Sequence, residues 1–256
     1  MRRTVLVALS LTLVLAAFGL ASAQSPGEKW FDFPADLPPD EYGNILIDRI
    51  STANNVKPVS FSHWKHRLRY TCRVCHFELG FEFKTNATEI TEKLSGMGYY
   101  CGACHDGVTA FAHSESNCNK CHNGDLDYNS KKIKDVLNAL PGGPYGNNID
   151  WVKSYSRLKP AYSMFYSEQP LRFSRELSLE AELSNIPPAI FPHKPHVREL
   201  DCSNCHPQPF NIKKKTTEHF TMDYILDGQF CGACHMTVAF PVRDCAKCHK
   251  EIRTGG

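Results

Sequence analysis

The chain has 256 residues, of which 42% are hydrophobic and 22% are charged. Its 29 lysine and arginine residues are nearly balanced by 27 aspartate and glutamate residues, which excludes the strongly basic composition typical of nucleic-acid-binding proteins. We therefore expect no nucleic acid partner.

The first predicted element is an export signal at residues 1–23. Arg2 and Arg3 precede an apolar stretch at 5–20, and a small-residue cleavage site follows at 21–23. Cleavage would leave 27 basic side chains, two fewer than the full chain has, against 27 acidic ones. An uncleaved anchor is the alternative, but the stretch is short for a membrane span. We expect an exported protein, periplasmic or at the cell surface, with no stable membrane span.

Beyond the signal, cysteine and histidine follow a single pattern. The motif Cys-x-x-Cys-His occurs six times and uses all 12 cysteines. The six motifs contain Cys72, Cys75 and His76; Cys101, Cys104 and His105; Cys118, Cys121 and His122; Cys202, Cys205 and His206; Cys231, Cys234 and His235; and Cys245, Cys248 and His249. This spacing is the attachment signature of c-type haem, in which the adjacent histidine is the proximal ligand of the iron. Disulfides would leave those six histidines without an explanation. Zinc would use the same residues as ligands, but six separate zinc sites are not expected in an exported protein.

The sequence therefore predicts six covalent haem c groups. A chain divided by so many attachment motifs cannot build a large core from its own side chains, so the porphyrins must supply much of the buried apolar surface. We expect little regular secondary structure and a core packed with haem.

The motifs also form an internal repeat. Residues 63, 66, 72 and 101 recur 130 positions later, and residues 42–48 resemble 145–150. The repeat predicts two tandem triheme domains, at 24–140 and 141–256, divided at the turn-rich segment 141–144. The second domain carries an insertion at about 167–188, within which 174–183 is expected to form a short helix.

Six further histidines equal the predicted haems in number. They are His63, His66, His113, His193, His196 and His219. Four of them lie in two Phe-x-His-x-x-His segments, each ahead of the first motif of its domain. Histidines at i and i+3 project from one face of a helical turn, so each segment can offer an imidazole to two neighbouring haems.

These segments, each followed by three attachment motifs, resemble the triheme domain of cytochrome c7, a relative of the class III cytochromes. The middle motifs at 98–105 and 228–235 share the form Gly-x-x-Cys-Gly-Ala-Cys-His, which is similar to multidomain members of that family. The resemblance implies two tandem class III-like domains, mostly irregular with small helices, that carry electrons. It also implies ligand pairs, which are His63 with the haem of His76, His66 with the haem of His105, and His193 and His196 in the same roles.

The third distal ligand of each domain departs from the family pattern, which places it shortly before the middle motif. The second domain has His219 and Met222 in that interval, whereas the first has Met97 there and His113 after the middle motif. Methionine would raise the potential of the haem that it binds. The number of histidines favours His113 and His219, and a histidine from the other domain or another subunit is a further alternative.

Two protein ligands at every iron would leave no open position for a substrate, which favours one-electron transfer. We expect an exported hexahaem carrier in anaerobic or extracellular respiration. Its partners would be quinol-oxidising membrane cytochromes, and outer-surface cytochromes or terminal reductases. The alternatives are a nitrite or sulfite reductase with one open haem, and a homo-oligomer or filament subunit. Such reductases often carry a Cys-x-x-Cys-Lys variant, which this sequence lacks.

Overall fold

Two antiparallel β-hairpins of similar form shape the fold. The structure, a computed structural model, describes residues 31–127, 129–143, 145–165, 168–183, 185–213, 217 and 220–252. Strand β1 (Asn44–Ile47) pairs with β2 (Val59–Ser62), with Asn44 opposite Ser62. Strand β3 (Glu176–Leu179) pairs with β4 (Ala189–Pro192), with Glu176 opposite Pro192. Each sheet has two strands.

Each hairpin runs directly into a short helix that begins at a histidine. Strand β2 continues into α1 (His63–Arg67), and β4 continues into α6 (His193–Val197). The histidine pairs predicted from the sequence therefore lie at matching strand-to-helix junctions, and i,i+3 spacing within one helical turn places both imidazoles on one face.

The expected helix at 174–183 is wrong, because β3 occupies this stretch. Leu177 and Leu179 are half-buried while Glu176 and Ser178 are exposed, which is the two-residue alternation of a strand. Pairing with β4 also satisfies the backbone groups of both segments. Strand β3 holds the position in its hairpin that β1 holds in the first one. Residues 145–150, which resemble the β1 region in sequence, instead lead into a helix.

The other helices are short, and three of them lie within attachment motifs. They are α2 (Glu92–Gly96), α3 (Cys118–Cys121), α4 (Lys131–Asn138), α5 (Trp151–Leu158), α7 (Met222–Leu226), α8 (Gly232–His235) and α9 (Cys245–Cys248). Helix α5 begins after Asp150, whose carboxylate accepts a hydrogen bond from the Lys153 backbone N–H at 3.0 Å. It ends at Lys159, which adopts a left-handed conformation with φ 47°. The prediction of little regular secondary structure is confirmed.

The side-chain core is a cluster of aromatic and aliphatic residues. Tyr42, Trp64, Leu137, Ile149 and Trp151 form one buried cluster. The Trp64 and Trp151 rings stack with centroids 4.9 Å apart, and the Tyr42 hydroxyl donates to the Ala239 carbonyl at 2.7 Å. The domain boundary expected at 140/141 runs through this cluster, so both predicted domains contribute to one core.

Residues Phe33–Gly256 form one compact unit, and Met1–Asp32 form a separate unit of which only Phe31 and Asp32 are described. The export signal expected at 1–23 lies outside the described residues. Within the described part of the chain, no helix has the length and apolar character needed to cross a membrane.

Candidate haem-binding sites

The attachment motifs fold as single helical turns. In five of the six, the histidine backbone N–H donates to the carbonyl of the first cysteine, at 2.8 to 2.9 Å. This bond closes one turn and brings two thiols and an imidazole together on a short peptide. The first motif differs, because Cys75 and His76 lie in a π-helical turn at Val74–Glu78. All twelve cysteines are described and none forms a disulfide.

Every motif histidine makes the same hydrogen bond through its ring. The Nδ1 atoms of His76, His105, His122, His206, His235 and His249 lie 2.8, 3.1, 2.8, 2.6, 3.0 and 2.5 Å from backbone carbonyl oxygens. A carbonyl only accepts, so Nδ1 carries the proton in each ring and Nε2 keeps its lone pair. This tautomer is the one that a metal-ligating histidine adopts when its other nitrogen donates to the backbone.

The two histidine pairs repeat this arrangement. Nδ1 of His63 lies 2.8 Å from the Gly43 carbonyl, and Nδ1 of His66 lies 2.9 Å from the Ser62 carbonyl. In the second copy, His193 lies 2.8 Å from the Arg175 carbonyl and His196 lies 2.8 Å from the Pro192 carbonyl. Ten histidines thus present Nε2 as the free ring nitrogen.

A phenylalanine orients each pair, a role that the sequence motif did not reveal. The Phe61 ring stacks on His66 with centroids 4.5 Å apart and meets His63 edge-on at 4.9 Å. Phe191 contacts His196 at 4.4 Å and His193 at 4.9 Å in the same way. Aromatic contacts of this kind restrict ring rotation, so the imidazole planes are set by the protein before any ligand binds.

The imidazole rings of His66 and His105 lie close together, and so do those of His196 and His235. The ring centroids of His66 and His105 are 6.4 Å apart, and those of His196 and His235 are 6.3 Å apart. Two imidazoles on opposite sides of one metal ion, each with a metal–nitrogen bond of about 2 Å, have centroids about 6 Å apart. These separations fit an iron held between each pair, as in bis-histidine haem.

Burial favours the uncharged form of these histidine and cysteine side chains. Burial lowers the pKa of His63 to about 4, with the Gly43 carbonyl opposing the shift and neighbouring His76 adding to it. Burial likewise lowers the pKa of His235 to about 4 and raises the pKa of Cys75 to about 12. Neutral imidazoles bind metal, and neutral thiols are stable in apolar surroundings.

The candidates for the third distal ligand of each segment lack the buried, hydrogen-bonded setting of the histidine pairs, or lie outside the described residues. His113 is exposed, and its backbone N–H donates to the His105 carbonyl at 2.8 Å. Within the described residues, its ring makes no Nδ1 bond of the kind found in the other ten. Met97 is 61% exposed and Met222 is half-buried at the start of α7. His219 lies outside the described residues.

Arg73 lies within the first motif and has contacts that the sequence did not indicate. Its guanidinium contacts the carboxylates of Glu78, Glu168 and Asp201. The burial of Arg73 indicates that it has these contacts, and burial cannot be read from the sequence.

Comparison with known proteins gives one family and three solved structures. The model of cytochrome c7 and related cytochrome c matches residues 59–123 and 189–250, hereafter the first and second segments. No match was found among curated proteins. The dodecaheme cytochrome c GSU1996 is 25% identical with a TM-score of 0.27, over 83% of this chain and 51% of that one. Its C-terminal hexaheme fragment is 27% identical with a TM-score of 0.28, over 81% of this chain and 96% of the fragment. The chain thus spans about half the length of the dodecaheme protein.

Proposed function

This chain belongs to the family of cytochrome c7 and related cytochrome c, and from that premise we propose that it is an exported hexahaem electron carrier. That it is a multihaem c-type cytochrome for electron transfer follows from the family. The number of haems, the export and the respiratory context are the proposal. The two triheme domains, divided near residue 141, are part of it.

The observation that carries the proposal is the common state of ten histidines. Each donates from Nδ1 to a backbone carbonyl and keeps Nε2 free. His66 with His105, and His196 with His235, are spaced for a single iron between them. When bound, haem supplies one-electron chemistry at its iron.

The roles of the remaining residues follow the same scheme. The twelve cysteines hold the porphyrins covalently and the six motif histidines are proximal ligands. His63 and His193 serve the first haem of their segments, and His66 and His196 serve the middle haem. His113 and His219, or Met97 and Met222, complete the third site of each segment. Filled axial positions keep substrates from the iron, and this supports a carrier over an oxyanion reductase.

The partners follow from the location. We propose that the mature protein is periplasmic or at the cell surface. There it takes electrons from quinol-oxidising membrane cytochromes and passes them to outer-surface cytochromes or terminal reductases. Assembly into a filament is compatible with the same chemistry.

Two measurements on the purified protein test the proposal. Intact mass should equal the mature polypeptide plus six haems, and the haem should resist extraction with acidified acetone. Low-temperature electron paramagnetic resonance of the oxidised protein should show low-spin iron, and the reduced protein should not bind carbon monoxide. Stoichiometric carbon monoxide binding at one haem would instead favour a reductase. Extractable haem would overturn the covalent assignment.

A further inference from the structure

Arg73 is a buried arginine at the centre of a charge cluster that joins the two segments. Its side chain is 5% exposed and pairs with Glu78, Glu168 and Asp201, the last with Nε 3.3 Å from the carboxylate. Glu78 belongs to the first segment, Glu168 to the connection and Asp201 to the second segment. One guanidinium therefore binds three carboxylates from three parts of the chain, which its planar fork of five donors allows.

The backbone around Arg73 is tied to the second segment as well. The Arg73 backbone N–H donates to the Glu199 carbonyl at 2.8 Å, and the Asn204 amide donates to the His76 carbonyl at 2.8 Å. Asn204 lies inside the motif of Cys202 and Cys205. The first attachment motif of one segment thus packs against the first motif of the other.

Arg67 adds a second bridge beside Cys72. Its guanidinium lies 3.4 Å from Glu199 and donates to the Val238 carbonyl at 3.2 Å. The Cys72 thiol lies 4.0 Å from the other oxygen of the Glu199 carboxylate.

We propose that Arg73 is a positioning residue that holds the peptide of Cys72, Cys75 and His76 against the second segment, so that electrons cross between the segments at this site. This rests on the proposed function. The step moves one electron from a ferrous haem to a ferric haem. Each iron keeps both ligands, and no bond forms or breaks. Since electron transfer weakens steeply with separation, the contact between the segments controls the crossing.

The test uses the full-length holoprotein carrying His66→Ala, so that the haem of Cys101 and Cys104 binds carbon monoxide when reduced. Flash photolysis of the partly reduced, carbon monoxide-bound protein then starts electron redistribution from the first segment. We expect a fast phase within that segment and a slower phase into the second. Adding Arg73→Met should slow the slower phase by about tenfold or more, because small misplacements cost large factors in rate. The fast phase should not change.

Arg49→Met is the matched control, since Arg49 pairs with Glu89 on the surface of the first part of the chain. It should leave both phases unchanged. In Arg73→Met without the His66 change, the midpoint potential of one haem should fall, because loss of a buried positive charge favours ferric iron. Arg73→Lys should restore this potential but only part of the slower phase, as one ammonium cannot hold three carboxylates.

Asp201→Asn keeps the proposal testable if Arg73→Met does not mature. An asparagine oxygen can still accept from the Ser203 backbone N–H, which caps the turn at 3.0 Å, while the charge opposite Arg73 is removed. It should slow the slower phase less than Arg73→Met does. An unchanged slower phase in a fully haem-loaded Arg73 or Asp201 variant would overturn the proposal. Six low-spin haems in the same Arg73 or Asp201 variant without the His66 change would leave the proposed function standing.

Discussion

The first and second segments share one histidine arrangement and differ in the residues beside it. Both keep a phenylalanine, two histidines and identical Nδ1 bonds at the strand-to-helix junction. Between the two histidines, however, the first segment has Trp64, which is 1% exposed, and the second has exposed Lys194. Inside the first motif, buried Arg73 corresponds to exposed Ser203. The two copies therefore share the histidine arrangement of the candidate sites. At the positions that differ, the first copy has buried side chains and the second has exposed ones.

The comparison is tested most strongly by Trp64→Ala against Lys194→Ala. Trp64 stacks on Trp151 and donates from its indole N–H to the Tyr42 carbonyl. Its removal leaves a cavity in the main side-chain core and should lower the free energy of unfolding by about 3–5 kcal/mol. Lys194→Ala should change it by less than about 0.5 kcal/mol. Chemical denaturation followed by Soret absorbance measures both, and equal effects would contradict the asymmetry.

A smaller effect, equal in both segments, is expected from Gly102→Ala and Gly232→Ala. A Cβ atom at Gly102 would lie 1.8 Å from the Ser95 carbonyl oxygen, and one at Gly232 would lie 1.9 Å from the Ile225 carbonyl oxygen. Backbone must shift in each case, at a cost of about 1–3 kcal/mol. Gly96→Ala in α2 is the control, because its Cβ would meet nothing within 4 Å. That variant should be neutral or slightly stabilised in the same denaturation assay.

The distal histidines should also behave alike. His66→Ala and His196→Ala each lose a hydrogen bond worth about 1 kcal/mol. The middle haem of the affected segment should then bind one carbon monoxide when reduced, while the parent protein binds none. Optical titration with carbon monoxide gives the stoichiometry. Binding in only one of the two variants would show that the repeated pairs do not share one role.

The smallest effect is expected at the surface of α4. Lys131 and Asp135 form an i,i+4 ion pair at 2.9 Å, with side chains 89% and 61% exposed. Exposed pairs of this kind contribute about 0.3–0.5 kcal/mol, and salt screens them. Lys131→Ala should therefore alter the denaturation midpoint only slightly, and less at high salt. A large change would mean that the stability of α4 depends on its surface charges.

Prediction from the sequence was most direct for groups whose chemistry is local, and their roles as haem ligands stay a prediction. The motif histidines and cysteines lie within one turn, and the histidine pairs lie three residues apart, so their spacing alone predicts what they can bind. It was wrong at 174–183, where a helix was expected and strand β3 is found. That outcome depends on pairing with β4, ten or more residues later in the chain. Short alternating segments become strands only when a partner satisfies their backbone.

By itself, then, the sequence determined the attachment motifs and the spacing of the histidine pairs, because these depend on neighbours within a few residues, and it determined the repeat, which is read directly from the residues. Only the tertiary structure decided that Trp64 stacks on Trp151 across the expected domain boundary, and that Arg73 binds Asp201 from the second segment. These contacts join residues about 90 and 128 positions apart. Their partners are selected by burial and by complementary shape and charge, which no local pattern of residues records.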